Sequence, residues 1–166
     1  MRAVDGKDIR PVDLWSGIRR RVRRPAMQWG PPDVVGAVAL GGAIGAAARW
    51  AISTAWPTAP GSFPWSIFVV NVVGCLAIGV LLVLLTEVAG RPHRLARPFF
   101  GTGVLGGFTT FSTYAVDAQR LLAAGEVPLA LAYLFGTLAA ALLAAQAGVS
   151  ATRALARRSA ASGEPT

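Results

Sequence analysis

Four apolar runs dominate this chain, at residues 34–55, 63–88, 98–124 and 128–149. Each has roughly the twenty residues that a hydrocarbon layer of about 30 Å demands of a helix. A soluble bundle needs a polar face on every helix, and these runs are apolar nearly all round, so that class is excluded. Inside a bilayer each segment must satisfy its own backbone groups, which a helix does. The expected fold class is an all-α membrane protein with four transmembrane helices.

Charge supports this reading through its placement. Only 14% of residues are charged against 54% apolar, and the mean hydropathy is +0.52. Of sixteen basic residues, eight precede residue 25, three lie at 91–97 and three at 153–158, leaving Arg49 and Arg120 elsewhere. The isoelectric point near 11.4 would suggest nucleic acid for a soluble chain. Here the basic residues flank membrane spans, so no nucleic-acid partner is expected. With a cytoplasmic amino terminus the inner side holds eight, three and three basic residues, and the outer loops hold at most Arg120. That bias predicts a multi-pass protein of the inner (plasma) membrane with both termini cytoplasmic. Starting at Met27 instead of Met1 would leave six against one, the same answer. Trp50, Trp56, Phe63 and Trp65 gather around the uncharged first loop as an aromatic belt.

Three regions follow: a basic, disordered amino-terminal tail at 1–33, a transmembrane domain at 34–150, and a polar carboxy-terminal tail at 151–166. The RRRVRR cluster at 19–24 reads either as a topology signal or as a headgroup contact adding about 1 kcal/mol per basic residue. Arg153, Arg157 and Arg158 are expected to extend the fourth helix by a turn or two. Cys75 and His93 each stand alone of their kind, so no disulfide, cysteine-based zinc site or Ser-His-Asp arrangement can be assembled. The chain is not expected to be an enzyme.

Polar islands within the apolar runs carry the chemistry. The third run contains GGFTTFSTY at 106–114, and glycines with hydroxyls loosen a helix. Loosened backbone at membrane depth is tolerated where it is buried in protein or lines a polar cavity. A break at Gly106–Gly107 would free carbonyls of Gly106 and Thr109 for a small hard cation such as Na+. Beyond it, Phe111 and Tyr114 share one face, and ring edges carry the positive side of the quadrupole. Ser112, Thr113 and Asp117 continue a polar line. Ordinary aromatic packing of Phe108, Phe111 and Tyr114 is the alternative.

In the first run, Gly41, Gly42 and Gly45 allow close helix approach, and Arg49 must either face a partner or snorkel to the interface. In the second, Asn71 shares a face with Gly74, and Gly79 lies beyond. The Asn71 carboxamide donates without carrying charge, which suits an anion bound and then released; an interhelical hydrogen bond is the competing use.

GGAIGAAARW, NVVGCLAIG and GGFTTFSTYAVDA together, in this order and spacing, resemble the Fluc/CrcB family of fluoride channels over about residues 34–150. The resemblance implies a passive fluoride exporter built as an antiparallel, dual-topology dimer with two interfacial pores and a central Na+. It implies that Asn71, Phe111, Tyr114, Ser112 and Thr113 line the fluoride path and that the Gly106 and Thr109 carbonyls of both subunits hold Na+. Arg49, Gly74 and Gly79 take structural or vestibule positions. One departure is Tyr114, where the commonest form of the family has phenylalanine. The charge bias sits awkwardly with dual insertion and implies an oppositely oriented paralogue as partner, the alternative being a homodimer. Two other function classes are a non-conducting or partner-dependent subunit and a small multidrug-type exporter. The exporter is disfavoured because the first run holds no deep acidic residue.

Overall fold

The computed structural model describes residues 30–90 and 92–162, and all regular structure in them is helical. In chain order these are α1 (Pro32–Ala55), α2 (Trp65–Val83), α3, α4 (Phe111–Ala123) and α5 (Val127–Ser162). Helix α3 is a π-helical stretch, Arg97–Leu105, followed by one α-helical turn, Gly106–Phe108. Helix α2 also widens into a π-helical turn at Leu84–Val88. The amino-terminal tail through residue 29, with its basic cluster and Met27, and residues 163–166 lie outside the described residues.

Among the described residues, three helices are long and apolar enough to span a membrane: Pro32–Ala55, Trp65–Val88 and Val127–Ser159. The third apolar run is instead two shorter helices, α3 and α4, meeting end to end. Backbone there is extended at Thr109 (ψ 156°) and Thr110 (φ −147°, ψ 125°). The break thus falls within the expected 106–110 window but not at its glycines, since Gly106 and Gly107 are helical. Helix α5 runs to Ser162, beyond the boundary at 150 drawn from composition.

Local chemistry sets the ends. Helix α1 begins at Pro32, where a missing N–H costs nothing, and Val34 N and Val35 N fold back on Pro31 O at 2.9 and 3.1 Å. Helix α4 stops at Gly125, which takes φ +82° while Gly125 N and Glu126 N reach back to Leu122 O and Leu121 O at 3.0 Å each. A left-handed residue closing the last carbonyls is what lets α5 start two residues later.

Two glycine seams hold the helices together. A Cβ on Gly41 or Gly45 would collide with the α3 backbone at Phe99 O or Val104 O, and one on Gly107 would collide with Gly42 O. Gly79 and Gly148 do the same for α2 against α5, meeting Ala145 O and Leu76 O. In hydrocarbon there is little hydrophobic drive between helices, so close backbone approach and the dispersion it brings stand in for it. Much of the remaining apolar surface faces outward, including Trp50, Phe135, Leu142 and Leu143. A soluble protein would bury it, whereas lipid or a second membrane chain covers it at no cost.

Candidate functional site

The extended residues of the third run are held by a side chain from α2. Asn71 Nδ2 donates to Thr110 O at 3.1 Å, and Asn71 Oδ1 accepts from Thr110 N at 2.9 Å. A carboxamide has the same donor and acceptor as a peptide group, so Asn71 serves Thr110 as a strand neighbour would. Gly74, one turn along α2, makes this possible: a Cβ there would strike Thr109 Cγ2. The interhelical role for Asn71 and its place at a cavity therefore coexist, since the carboxamide retains a second N–H.

The clasp diverts backbone donors. Thr110 N goes to Asn71 instead of Gly106 O, and Thr113 N goes to Thr110 Oγ1 at 3.1 Å instead of Thr109 O. Gly107 O accepts from Arg49 Nε at 3.2 Å. Arg49 is half-buried and engaged with this carbonyl, so it has the partner that an intramembrane guanidinium requires. Thr110 caps α4, with Ser112 Oγ and Thr113 Oγ1 at 3.3 and 3.1 Å from its hydroxyl. Ser112 and Thr113 are thus tied into the cap; neither lines the adjoining cavity.

That cavity, of about 300 Å³, opens between α2, α4 and α5. Asn71, Cys75, Thr109, Thr110, Phe111, Tyr114 and Thr137 line it, closed by Leu138 and Ala141. Phe111 is 80% exposed at its open side. Its ring centroid lies 5.8 Å from that of Tyr114, which in turn lies 5.2 Å from Tyr133. The Tyr114 hydroxyl donates to Leu134 O at 2.7 Å, anchoring the ring to α5. Gly79 stands away from the cavity, in the seam with α5. Asp117 is buried beside the α1–α2 loop and pairs with Arg120 at 3.2 Å.

Two polar groups enter that sequence reading did not single out. Tyr133 and Thr137 are 0% and 3% exposed, and neither hydroxyl has a partner. Thr86, Thr109 and Thr152 each return their hydroxyl to the carbonyl four residues back, at 2.7, 2.9 and 2.8 Å. Thr137 does not: the residue lines the cavity, while its Oγ1 is itself buried and unpartnered. A buried hydroxyl with no partner costs about 1–3 kcal/mol. The available signal was the four-residue spacing of Tyr133 and Thr137 within an otherwise apolar run.

Residues 36–149 match the family described as CrcB-like protein, Camphor Resistance (CrcB). The chain belongs to the CrcB-like family. Its curated relatives include fluoride-specific ion channel FluC 1 of Streptomyces coelicolor, 65% identical over 112 residues, 67% of this chain and 71% of the relative. Fluoride-specific ion channel FluC 2 of Streptomyces avermitilis is 59% identical over 121 residues, 73% of this chain and 76% of its own. Fluoride-specific ion channel FluC 2 of Nocardia farcinica is 57% identical over 122 residues, 74% and 86% of the two chains. The span matched in this CrcB-like protein contains the Asn71–Thr110 clasp, both glycine seams and the cavity.

Proposed function

We propose that this chain is a fluoride-selective channel subunit that lets cytoplasmic fluoride leave passively through the membrane, with no enzymatic step. The observation that carries the reading is the cavity lined by Asn71, Phe111, Tyr114 and Thr137. Neutral donors and ring edges in a narrow, low-dielectric space replace part of an anion's hydration without trapping it, as conduction requires. The fluoride-specific relatives support the choice of anion.

A single chain leaves Phe111 open on one side. The cavity is therefore completed by a second membrane chain packed antiparallel, either another copy or an oppositely oriented paralogue. The one-sided basic residues favour the paralogue. The reading places the protein in the plasma membrane with both termini cytoplasmic. The chain's own residues also fit a structural Na+. Gly106 O and Thr109 O are the carbonyls whose amide donors Asn71 and Thr110 have diverted, and bare carbonyls suit a hard cation. Two such oxygens fall short of a hard cation's usual coordination, so the second chain would supply the matching pair. Bound there, Na+ would offset the negative, carboxy-terminal end of the α3 dipole.

The test is fluoride efflux from liposomes containing the purified chain, alone and with a candidate paralogue. Thr137→Val should cut efflux at least about tenfold while leaving stability unchanged or higher, because it removes an unsatisfied buried hydroxyl. No fluoride efflux in either preparation would overturn the reading and favour a non-conducting subunit.

A further inference from the structure

A second cleft, also of about 300 Å³, lies between the far ends of α2 and α3. Ile78, Leu81, Leu82 and Leu85 form one wall, and Arg97, Gly101 and Thr102 form the other. Both walls are wound wide: Leu85 lies in the π-helical turn Leu84–Val88 and the other wall in the π-helical stretch Arg97–Leu105. Residues five apart in an α-helix point about 140° away from each other. Bonding from i to i+5 instead brings Arg97 and Thr102 to one side, and π-helical turns occur often where a helix serves a ligand.

The neighbouring cations are engaged and Arg97 is not. Arg94 pairs with Asp33, and Arg153 holds Glu87 through Nε and Nη2 at 2.6–3.0 Å. Among the described residues Arg97 has no carboxylate partner, and the Thr102 hydroxyl has no hydrogen-bond partner. The cleft thus has a guanidinium and a hydroxyl on its α3 wall and leucines and an isoleucine on its α2 wall. The leucine wall, from Ile78 to Leu85, runs roughly 10 Å, most of the ~15 Å depth of one leaflet. An all-apolar helix would leave the guanidinium unpaired, whereas a phosphate matches its planar donors.

We propose that this cleft binds one anionic phospholipid, with the phosphate on Arg97 and Thr102 and an acyl chain along Ile78, Leu81, Leu82 and Leu85. The basic side of the protein faces the leaflet in which anionic headgroups are enriched, so the ligand is at hand.

The full chain purified in detergent would be titrated with phosphatidylglycerol and with phosphatidylcholine of the same acyl chains, and retained lipid counted by native mass spectrometry. Phosphatidylglycerol should be retained preferentially at one per chain. Arg97→Gln should weaken its retention about fivefold, the loss of one basic contact, and leave phosphatidylcholine unchanged. Arg94→Gln, a cation already paired, should change nothing, and Leu82→Trp, which fills the cleft, should reduce both lipids. Equal retention of the two lipids, or no effect of Arg97→Gln, would overturn the site. So would a shift in self-association by Arg97→Gln or Leu82→Trp with lipid retention intact, since the cleft would then belong to a second protein chain.

Discussion

Asn71 and Thr110, 39 residues apart in sequence, are joined by two hydrogen bonds that use both ends of one carboxamide. The pair stabilises the extended backbone between α3 and α4, diverts the amide donor of Gly106 O, and fixes one wall of the cavity. Asn71→Ala should leave the half-buried Thr110 N–H and C=O unpaired, at about 1–3 kcal/mol for each group. Asn71→Asp keeps the acceptor but sets an oxygen against Thr110 O and adds negative charge to the proposed anion path. Both should reduce fluoride efflux from liposomes to background, and Asn71→Asp should do so even in preparations that remain monodisperse. Unchanged efflux in Asn71→Asp would remove Asn71 from the path.

Tyr114 offers a gentler change. Its hydroxyl spends its donor on Leu134 O at 2.7 Å, so its role is to hold the ring, not to donate to an ion. Tyr114→Phe should lower stability by about 0.5–1.5 kcal/mol, the worth of one such bond, and keep efflux within about threefold, since the ring edge remains. A loss of selectivity over chloride without a stability change would instead make the hydroxyl a pore donor.

The seams make a contrast among glycines that look alike in sequence. Gly45→Ala would press a methyl into Val104 O and Phe108 N, and Gly79→Ala into Ala145 O and Val149 N. The obstacles are backbone atoms of a neighbouring helix and cannot rotate away, so both variants should fail to give a monodisperse protein. Gly36, in the same α1, has open space within 4 Å of where a methyl group would project. Gly36→Ala should be neutral or slightly stabilising, because alanine is the better helix former by about 1 kcal/mol. Equal behaviour of Gly36→Ala and Gly45→Ala in size-exclusion profiles would rule out the seam.

These contrasts mark what could be read from the residues alone. Spans α1, α2 and α5 follow from hydropathy and length, because a bilayer tolerates few alternatives to a long apolar helix. The α1–α3 seam follows from the spacing of Gly41 and Gly45, whereas the pairing of Gly79 with Gly148 is settled only by packing. The position of the break does not: glycine is permissive but does not compel, and the backbone yields at Thr109–Thr110 because Asn71 reaches it from another helix. The Arg49 to Gly107 O bond is of the same kind, decided by packing across 58 residues. Thr137 by itself gives no signal because a threonine hydroxyl in a span normally back-bonds to its own helix, and Tyr133 by itself gives none because an aromatic ring in a span reads as packing. Only three dimensions reveal that Thr137 does not. The π-helical winding of α3 leaves no trace in the pattern of residues.

Cys75 supplies a probe of the cavity that needs no new side chain. It lies four residues beyond Asn71, on the same face of α2, and lines the same space as Thr137 and Phe111. A thiol there opens onto the space that the proposed ion path would use, and the cavity has room for about ten waters at roughly 30 Å³ each. A small, membrane-permeant methanethiosulfonate should therefore attach at Cys75, the only cysteine in the chain, and cut fluoride efflux at least about fivefold by filling the passage. Cys75→Ser should conduct within about twofold of the parent and ignore the reagent. Fluoride present in excess should slow the modification, because ion and reagent compete for the same space. Full modification confirmed by mass, with efflux undiminished, would show that the cavity lined by Asn71 and Cys75 lies beside the conducting path and not on it.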